Sequence, residues 1–156
     1  MGKFFSGLAD ELILYTRQIA WWSASQTLKQ KVGKEEREIA LPCRAKQARE
    51  KGFDLYYPPL SMEVGYLVEY LESFDYVEPG LHGPLRVSFH ELGAWACLNG
   101  IDLKPWEVTM LRMMSAEFAS ELAAADNPQR PPPWSPAPQQ IDRRALAQHV
   151  KGVLRG

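Results

Sequence analysis

The fold of this chain is decided by residues 84–122, with the sequence PLRVSFHELGAWACLNGIDLKPWEVTMLRMMSAEFASEL. Within this stretch, Ser88 and Glu91 have the spacing of a capping box, in which each side chain accepts the backbone N–H of the other residue. Gly100 suits the left-handed backbone that commonly ends a helix. Pro105 suits the first position of a following helix, because its missing N–H costs nothing there. The stretch is therefore predicted to form two helices joined by a short turn.

The segments that precede this hairpin are also predicted to be helical. Residues 3–32 carry apolar side chains at alternating steps of three and four, which predicts a long amphipathic helix. Residues 33–52 are strongly charged and are predicted to form a helical connector that Pro42 interrupts. Ser61 is placed to cap a further helix that extends to Phe74. Because few stretches alternate in the manner of strands, the predicted fold class is all-α.

Changes in composition divide the chain into four predicted segments. Residues 1–56 hold the N-terminal helix and its connector, and residues 57–123 hold a central three-helix unit. Residues 124–140 are rich in proline, which predicts an extended and semi-rigid linker. Residues 141–156 are predicted to form a short basic helix. The N-terminal helix either packs on its own domain or pairs with another protein, and the sequence leaves both arrangements open.

The charge of the chain is unevenly distributed around a net value of −1. Residues 29–51 carry a net charge of +4, residues 52–126 carry −9 and residues 127–156 carry +4. An acidic middle argues against nucleic acid there and permits a basic protein partner, or contact between copies of the chain through opposite ends. The longest uncharged run near the N-terminus, residues 18–28, is shorter than the ~20 apolar residues of a membrane-spanning helix. No membrane contact is expected.

The sequence offers no recognisable catalytic or cofactor-binding motif. His90 and Glu91 begin a zinc-protease motif, but Ala94 occupies the position that the second histidine requires. Cys43 and Cys97 do not have the paired spacing of metal ligands. The two glycine-rich phosphate-binding motifs, GxxxxGK(S/T) and GxGxxG, are both absent from the sequence. We therefore expect no enzyme activity, no metal and no cofactor.

Residues 57–122 contain an ordered series of short motifs that includes the hairpin. The series is Pro58-Pro59-Leu60, Tyr66-Leu67-Val68-Glu69-Tyr70-Leu71, a turn with Gly80, Gly83 and Pro84, the capped helix from Ser88 to Trp95, Gly100-Ile101-Asp102-Leu103, and Met114-Ser115-Ala116-Glu117-Phe118. This order resembles that of the small tail assembly chaperones of long-tailed bacteriophages. The chain departs from the family pattern at Phe89, Ser115 and Phe118, where that family frequently has tryptophan, aspartate and tyrosine.

The resemblance implies a non-enzymatic role in the assembly of a phage tail. Proteins of this family bind the long tape-measure protein, keep its hydrophobic helices soluble and help to recruit tail tube subunits. The resemblance therefore implies a tape-measure partner, with tail tube protein as a second partner, in the host cytoplasm and not in the mature virion. Self-association of the chain is also compatible with this resemblance. The side chains expected to contact the partner are Tyr66, Tyr70, Trp95, Trp106, Met110 and Phe118.

Two other functions are compatible with the sequence. The first is a structural protein of the virion or a head–tail connector. The second is a helix-turn-helix DNA-binding regulator, which would need basic or amide side chains at the start of its second helix. That helix begins with Trp106, Glu107, Val108 and Thr109 instead, and its surroundings are acidic. The DNA-binding reading therefore ranks below the other two.

Overall fold

The computed structural model describes residues 2–33 and 35–136, which form five α-helices and one two-stranded antiparallel sheet. The prediction of an all-α fold is wrong, because this part of the chain is a mixed α+β structure. In chain order the elements are α1 (Gly2–Ser23), β1 (Ser25–Val32), β2 (Glu35–Cys43), α2 (Arg44–Glu50), α3 (Gly65–Ser73), α4 (Phe89–Leu98) and α5 (Pro105–Ala124).

The two strands form a hairpin, here called the ribbon (residues 25–43), where helix was predicted. The helix predicted over residues 3–32 ends at Ser23, whose hydroxyl donates to the carbonyl of Ile19 at 2.8 Å. Such a bond lets a serine compete with the regular helical pattern. Gly33, at a backbone φ of +70°, lies in the tight turn that pairs Val32 with Glu35. Because a short turn closes this antiparallel pair, local helix propensity does not decide the structure.

The predicted charged connector is helical only in its last third. Among the described residues of the range 33–52, only α2 is helical, and β2 occupies most of what precedes it. Pro42 lies near the end of β2, a location that a strand tolerates because it needs no ladder hydrogen bond there. The N–H of Arg44 donates to the carbonyl of Ala24 at 3.2 Å and closes the base of the ribbon.

One hydrophobic core joins α1 to the three central helices. α1 packs along α5, and α3 packs on both of them. The core crosses the predicted segment boundary at residue 56, because Leu12 of α1 belongs to it. Its most enclosed members are Leu12, Val64, Leu67, Leu71, Val87, Leu92, Leu111 and Met114.

Ser88 caps the start of α4, as predicted, but its backbone N–H donates to a residue other than the predicted Glu91. The Ser88 hydroxyl oxygen accepts the N–H of Glu91 at 3.2 Å. The N–H of Ser88 donates to the carboxylate of Glu78 at 2.7 Å, and its hydroxyl donates to the same oxygen at 2.8 Å. Glu78, on the preceding turn, therefore takes the place that the capping box assigned to Glu91.

The turn between α4 and α5 follows the predicted pattern. Gly100 has a φ of +65°, the left-handed conformation that glycine adopts without strain. The N–H of Ile101 donates to the carbonyl of Ala96 at 2.9 Å, which closes the end of α4. Pro105 is the first residue of α5. The predicted helical hairpin is therefore confirmed.

The start of α3 differs from the prediction because Ser61 has another partner. The N–H and hydroxyl of Ser61 donate to the same carboxylate oxygen of Glu11, at 3.0 and 2.6 Å. Residues 62–64 form a turn, and α3 begins only at Gly65. Ser61 thus ties the approach to α3 onto α1 instead of capping a helix.

A buried carboxylate links α1 to the end of α5. The Glu121 side chain is 1% exposed. Arg17 donates to it from Nε at 3.2 Å and from Nη2 at 3.1 Å. Arg130 donates from Nε at 3.0 Å and from Nη2 at 2.8 Å. Both carboxylate oxygens of Glu121 are therefore satisfied by charged donors.

The proline-rich segment after α5 folds back along α1. Trp21 Nε1 donates to the carbonyl of Arg130 at 2.9 Å, and the N–H of Trp134 donates to Gln18 Oε1 at 3.1 Å. The Trp134 ring lies 6.2 Å from that of Tyr56, centroid to centroid. Residues 130–134 of the predicted linker therefore contact the body of the protein. The helix predicted for residues 141–156 lies outside the described residues.

Candidate protein-binding site

An open apolar groove lies between the N-terminal halves of α1 and α5, and we call it the α1–α5 groove. Its volume is about 490 Å³. Pockets for small ligands fall in the range of ~300–1,000 Å³. The described residues that line it are Ser6, Leu8, Ala9, Leu12, Val64, Trp106, Thr109 and Met110.

The α1–α5 groove has a buried floor and an open rim. Leu12 and Val64, which are 1% and 3% exposed, belong to the hydrophobic core and form the floor. Trp106 is 43% exposed and forms part of the rim, and Met110 is half-buried beside it. Among the described lining residues none carries a charge, so the groove can bury apolar surface but has no group for acid–base chemistry.

The position of Trp106 is fixed by the first turn of α5. Glu107 Oε2 accepts the N–H of Lys104 at 2.6 Å, which satisfies a donor at the helix start. Glu107 Oε1 accepts the hydroxyl of Tyr66 at 2.5 Å, which joins α5 to α3. Burial, and then this hydrogen bond to Glu107, raise the pKa of the Tyr66 phenol above its ordinary value. One carboxylate therefore anchors the helix turn that presents Trp106.

Three of the six side chains expected to contact a partner form an aromatic ladder away from the α1–α5 groove. The rings of Tyr66 and Tyr70 meet edge to face at 5.4 Å, and those of Tyr70 and Trp95 meet at 5.3 Å. Phe74 extends the ladder, at 5.4 Å from Trp95. All four side chains are half-buried. The ladder packs α3 against α4 and leaves only its outer edges to solvent.

The remaining three side chains divide between the groove and the core. Trp106 and Met110 line the α1–α5 groove together. Phe118 is 4% exposed and stacks on Tyr76, with ring centroids 4.4 Å apart. The structure thus brings two of the six together at an open surface and encloses Phe118 within the protein.

The α1 wall of the groove was not identified from the sequence as part of a binding site. Leu8 and Ala9 are half-buried on α1 and face the groove, with Ser6 at its end. The available signal was the amphipathic stripe of α1, to which Leu8 and Leu12 belong. That stripe predicts a packing face but not which helix packs there, so a groove shared with α5 could not be derived from it.

Comparison of the chain with protein-family models, curated proteins and solved structures finds no match. None of the described helices combines the length and the apolar character needed to cross a membrane. Within residues 2–33 and 35–136, no three His, Cys, Asp or Glu side chains are grouped as metal ligands would be.

The free energy of unfolding is expected to fall as the pH rises from about 10 to about 12. Burial raises the pKa of Tyr76 to about 12, and the ordinary value is about 10. The folded state favours the protonated phenol, so this stabilisation is complete below pH ~10 and is lost as the pH passes the folded pKa. Denaturant titrations across this range measure the slope. An equally steep slope in a Tyr76→Phe variant would contradict the assignment to Tyr76.

Proposed function

We propose that this protein is a non-enzymatic assembly factor that holds an apolar helical segment of another protein in the α1–α5 groove. The observation that carries the proposal is the open groove, whose described lining residues carry no charge, with the Trp106 ring on its rim. Tryptophan is among the side chains that most often dominate the free energy of binding at protein interfaces. Met110 adds a flexible and polarisable side chain, which adapts to irregular apolar partners.

A helix is the expected occupant of the α1–α5 groove. Both walls are helices, whose backbone groups are hydrogen-bonded internally, so a strand would find no open edge to pair with. An amphipathic helix needs only apolar walls that receive side chains at steps of three and four. Leu8 and Ala9 on one wall and Met110 on the other supply such surfaces.

The resemblance of residues 57–122 to tail assembly chaperones supports a narrower proposal. In that proposal the partner is a phage tape-measure protein, whose long hydrophobic helices need protection in the host cytoplasm before the tail is built. Tail tube protein would be recruited to the same complex. Trp106 and Met110 lie inside the stretch that resembles the family, and the α1 wall lies outside it. Nucleic acid is not an expected partner, because residues 52–126 carry a net charge of −9.

A Trp106→Ala variant is expected to bind the partner at least about tenfold more weakly, because loss of an aromatic anchor typically costs about 2 kcal/mol or more. The measurement is co-expression of this protein with a tape-measure protein, affinity purification through this protein, and titration of the recovered pair. Met113→Ala is the matched control, since Met113 is 47% exposed on the same helix but does not line the groove. The control should bind like the unsubstituted protein.

Two results would overturn the proposal at different levels. Equal retention of the partner by Trp106→Ala and Met113→Ala would remove the α1–α5 groove as the binding site. Stoichiometric presence of the chain in purified phage particles, measured by mass spectrometry, would contradict the chaperone function and favour a structural or connector protein of the virion.

A further inference from the structure

A small pocket with three tyrosine side chains and one carboxylate, here called the tyrosine pocket, lies where α1 and α3 meet the segments on either side of α3. Its volume is about 240 Å³. This is below the range of ~300–1,000 Å³ for small-ligand pockets, so it suits the end of a single side chain. Its described lining has no residue in common with that of the α1–α5 groove. The described residues that line it are Tyr15, Ile19, Tyr57, Val68, Glu72 and Tyr76.

The aromatic side chains of the tyrosine pocket are held in place by the fold. The Tyr15 and Tyr57 rings stack with their centroids 5.4 Å apart. The Tyr76 ring stacks on the buried ring of Phe118, with centroids 4.4 Å apart. The backbone of Tyr76 has a φ of +66°, and its N–H donates to the carbonyl of Leu71 at 2.9 Å. A ligand would therefore meet rings that are already in position, which avoids the cost of ordering them on binding.

The polar groups of the tyrosine pocket have no partner in the described part of the chain. Among the described tyrosines, only Tyr66 donates its hydroxyl to another residue. The hydroxyls of Tyr15, Tyr57 and Tyr76 are therefore left to solvent or to a ligand. Glu72 is exposed, and its carboxylate forms no ion pair with a described side chain. The pocket thus offers phenol and carboxylate oxygens that can accept hydrogen bonds.

The titratable oxygens of the tyrosine pocket are close enough to influence one another. Burial, and then the Glu72 carboxylate and the Tyr57 phenol, raise the pKa of Tyr76 to about 12. Burial, and then Tyr15, raise the pKa of Tyr57, and the guanidinium of Arg49 opposes this rise. Arg49 does not line the pocket and forms no ion pair with Glu72. At neutral pH the phenols are therefore uncharged, and the carboxylate gives the pocket a negative charge.

Aromatic rings beside an unpaired carboxylate match the chemistry of an alkylammonium group. The rings attract a cation through their electron-rich faces, and their apolar surface can cover the methylenes of its stem. The carboxylate and phenol oxygens can accept the N–H groups of an ammonium. We propose that the tyrosine pocket binds the side chain of a lysine on a partner protein, with the ammonium at the Glu72 carboxylate. This site goes beyond the binding of a helix in the α1–α5 groove and uses different residues.

The strength of such a site favours a lysine on a protein over a free amine. A cation–π contact at an exposed position contributes about two- to fivefold in affinity, and an exposed ion pair contributes no more than that. A free amine would therefore be held weakly, whereas a lysine on a protein that is bound elsewhere adds this gain to the rest of the contact. The net charge of −9 over residues 52–126 also favours a basic surface on the partner.

The test measures the binding of a lysine side chain to the full-length protein in solution. The probe is N-acetyl-lysine methylamide, and N-acetyl-norleucine methylamide is its neutral counterpart, with the same stem but no ammonium. Titrations are followed by the NMR chemical shifts of the tyrosine rings. Glu72→Gln removes the charge and keeps the shape of the side chain. Glu69→Gln is the matched control, because Glu69 is exposed on α3 but does not line the pocket.

The lysine probe is expected to shift the ring signals of Tyr57 and Tyr76 in a saturable manner, and the norleucine probe to bind at least about threefold more weakly. Glu72→Gln should weaken binding of the lysine probe by about two- to fivefold, and Glu69→Gln should leave it unchanged. Trp106→Ala should also leave it unchanged, so the result is independent of the α1–α5 groove.

Three results would overturn the proposed lysine site. The first is the absence of a saturable shift at the tyrosine rings, and the second is equal binding of the lysine and norleucine probes. The third is equal binding of the lysine probe by Glu72→Gln and Glu69→Gln. A further titration with n-butylammonium tests the source of the cation. Binding of n-butylammonium without binding of the lysine probe would identify a free amine as the ligand and would contradict a lysine on a protein.

Discussion

Phe118→Ala is expected to lower the free energy of unfolding by about 3–5 kcal/mol, the usual cost of deleting a buried phenylalanine ring. Phe118 is 4% exposed, and its ring stacks on Tyr76. Tyr76 has a φ of +66°, a strained conformation that persists only where its surroundings hold it. Loss of the stack therefore removes apolar contact and one of the restraints on that turn. Denaturant unfolding followed by circular dichroism measures the change.

Phe89→Ala is the matched control for the Phe118 substitution. Phe89 is 64% exposed, and the Arg112 guanidinium carbon lies 3.6 Å from its ring centroid. A cation–π contact at an exposed site contributes about 0.5–1 kcal/mol, so the control should lose no more than that. Equal losses in the two variants would show that Phe118 does not support the core.

Glu121→Ala is expected to lower the free energy of unfolding by about 3 kcal/mol. Removal of one partner from a buried ion pair costs about 3–5 kcal/mol, because the remaining charge is left without compensation. The lower figure applies because the side chains of Arg17 and Arg130 are each 36% exposed and can reach water. The same variant loosens the segment after α5, since Arg130 would no longer be held to the helix. Urea titration gives the free energy.

Glu117→Gln, on the same helix, provides the reference for the Glu121 substitution. Glu117 is half-buried, and substitutions of this kind usually change stability by less than about 0.5 kcal/mol. A Glu121→Ala variant as stable as Glu117→Gln would mean that the buried carboxylate and its two arginines contribute no net stability.

The part of the fold that could be predicted is the part that local chemistry determines. Ser88, Gly100 and Pro105 act at the ends of their own helices, and all three lie where their side chains and backbones predicted. These signals extend over a few residues and do not depend on what packs nearby.

The ribbon could not be predicted because its structure depends on pairing between segments. Lysine, glutamine and glutamate favour helix in isolation, and they make up much of residues 26–38. Gly33 was the available signal for a hairpin, but the flanking polar residues gave little alternation to support it. Ser61 and Glu91 failed as caps for a related reason, since Glu11 and Glu78 provide carboxylates from distant or preceding segments.

The α1–α5 groove could be predicted only in part. Trp106 and Met110 were among the side chains expected to contact a partner, and both of them line the groove. The opposite wall, with Leu8 and Ala9, follows only from the packing of α1 along α5. A groove formed by two helices that are distant in sequence requires the tertiary structure.

Photo-cross-linking in the producing cell tests whether the α1–α5 groove holds another protein. A photoreactive amino acid at Thr109, on the wall of the groove, would capture whatever occupies it. The same residue at Asn99, which lies outside this groove, is the control. The residue at Thr109 is expected to capture an apolar helical segment of one long protein, identified by mass spectrometry, and the residue at Asn99 is expected not to. Capture of that segment from Asn99 but not from Thr109 would contradict this expectation.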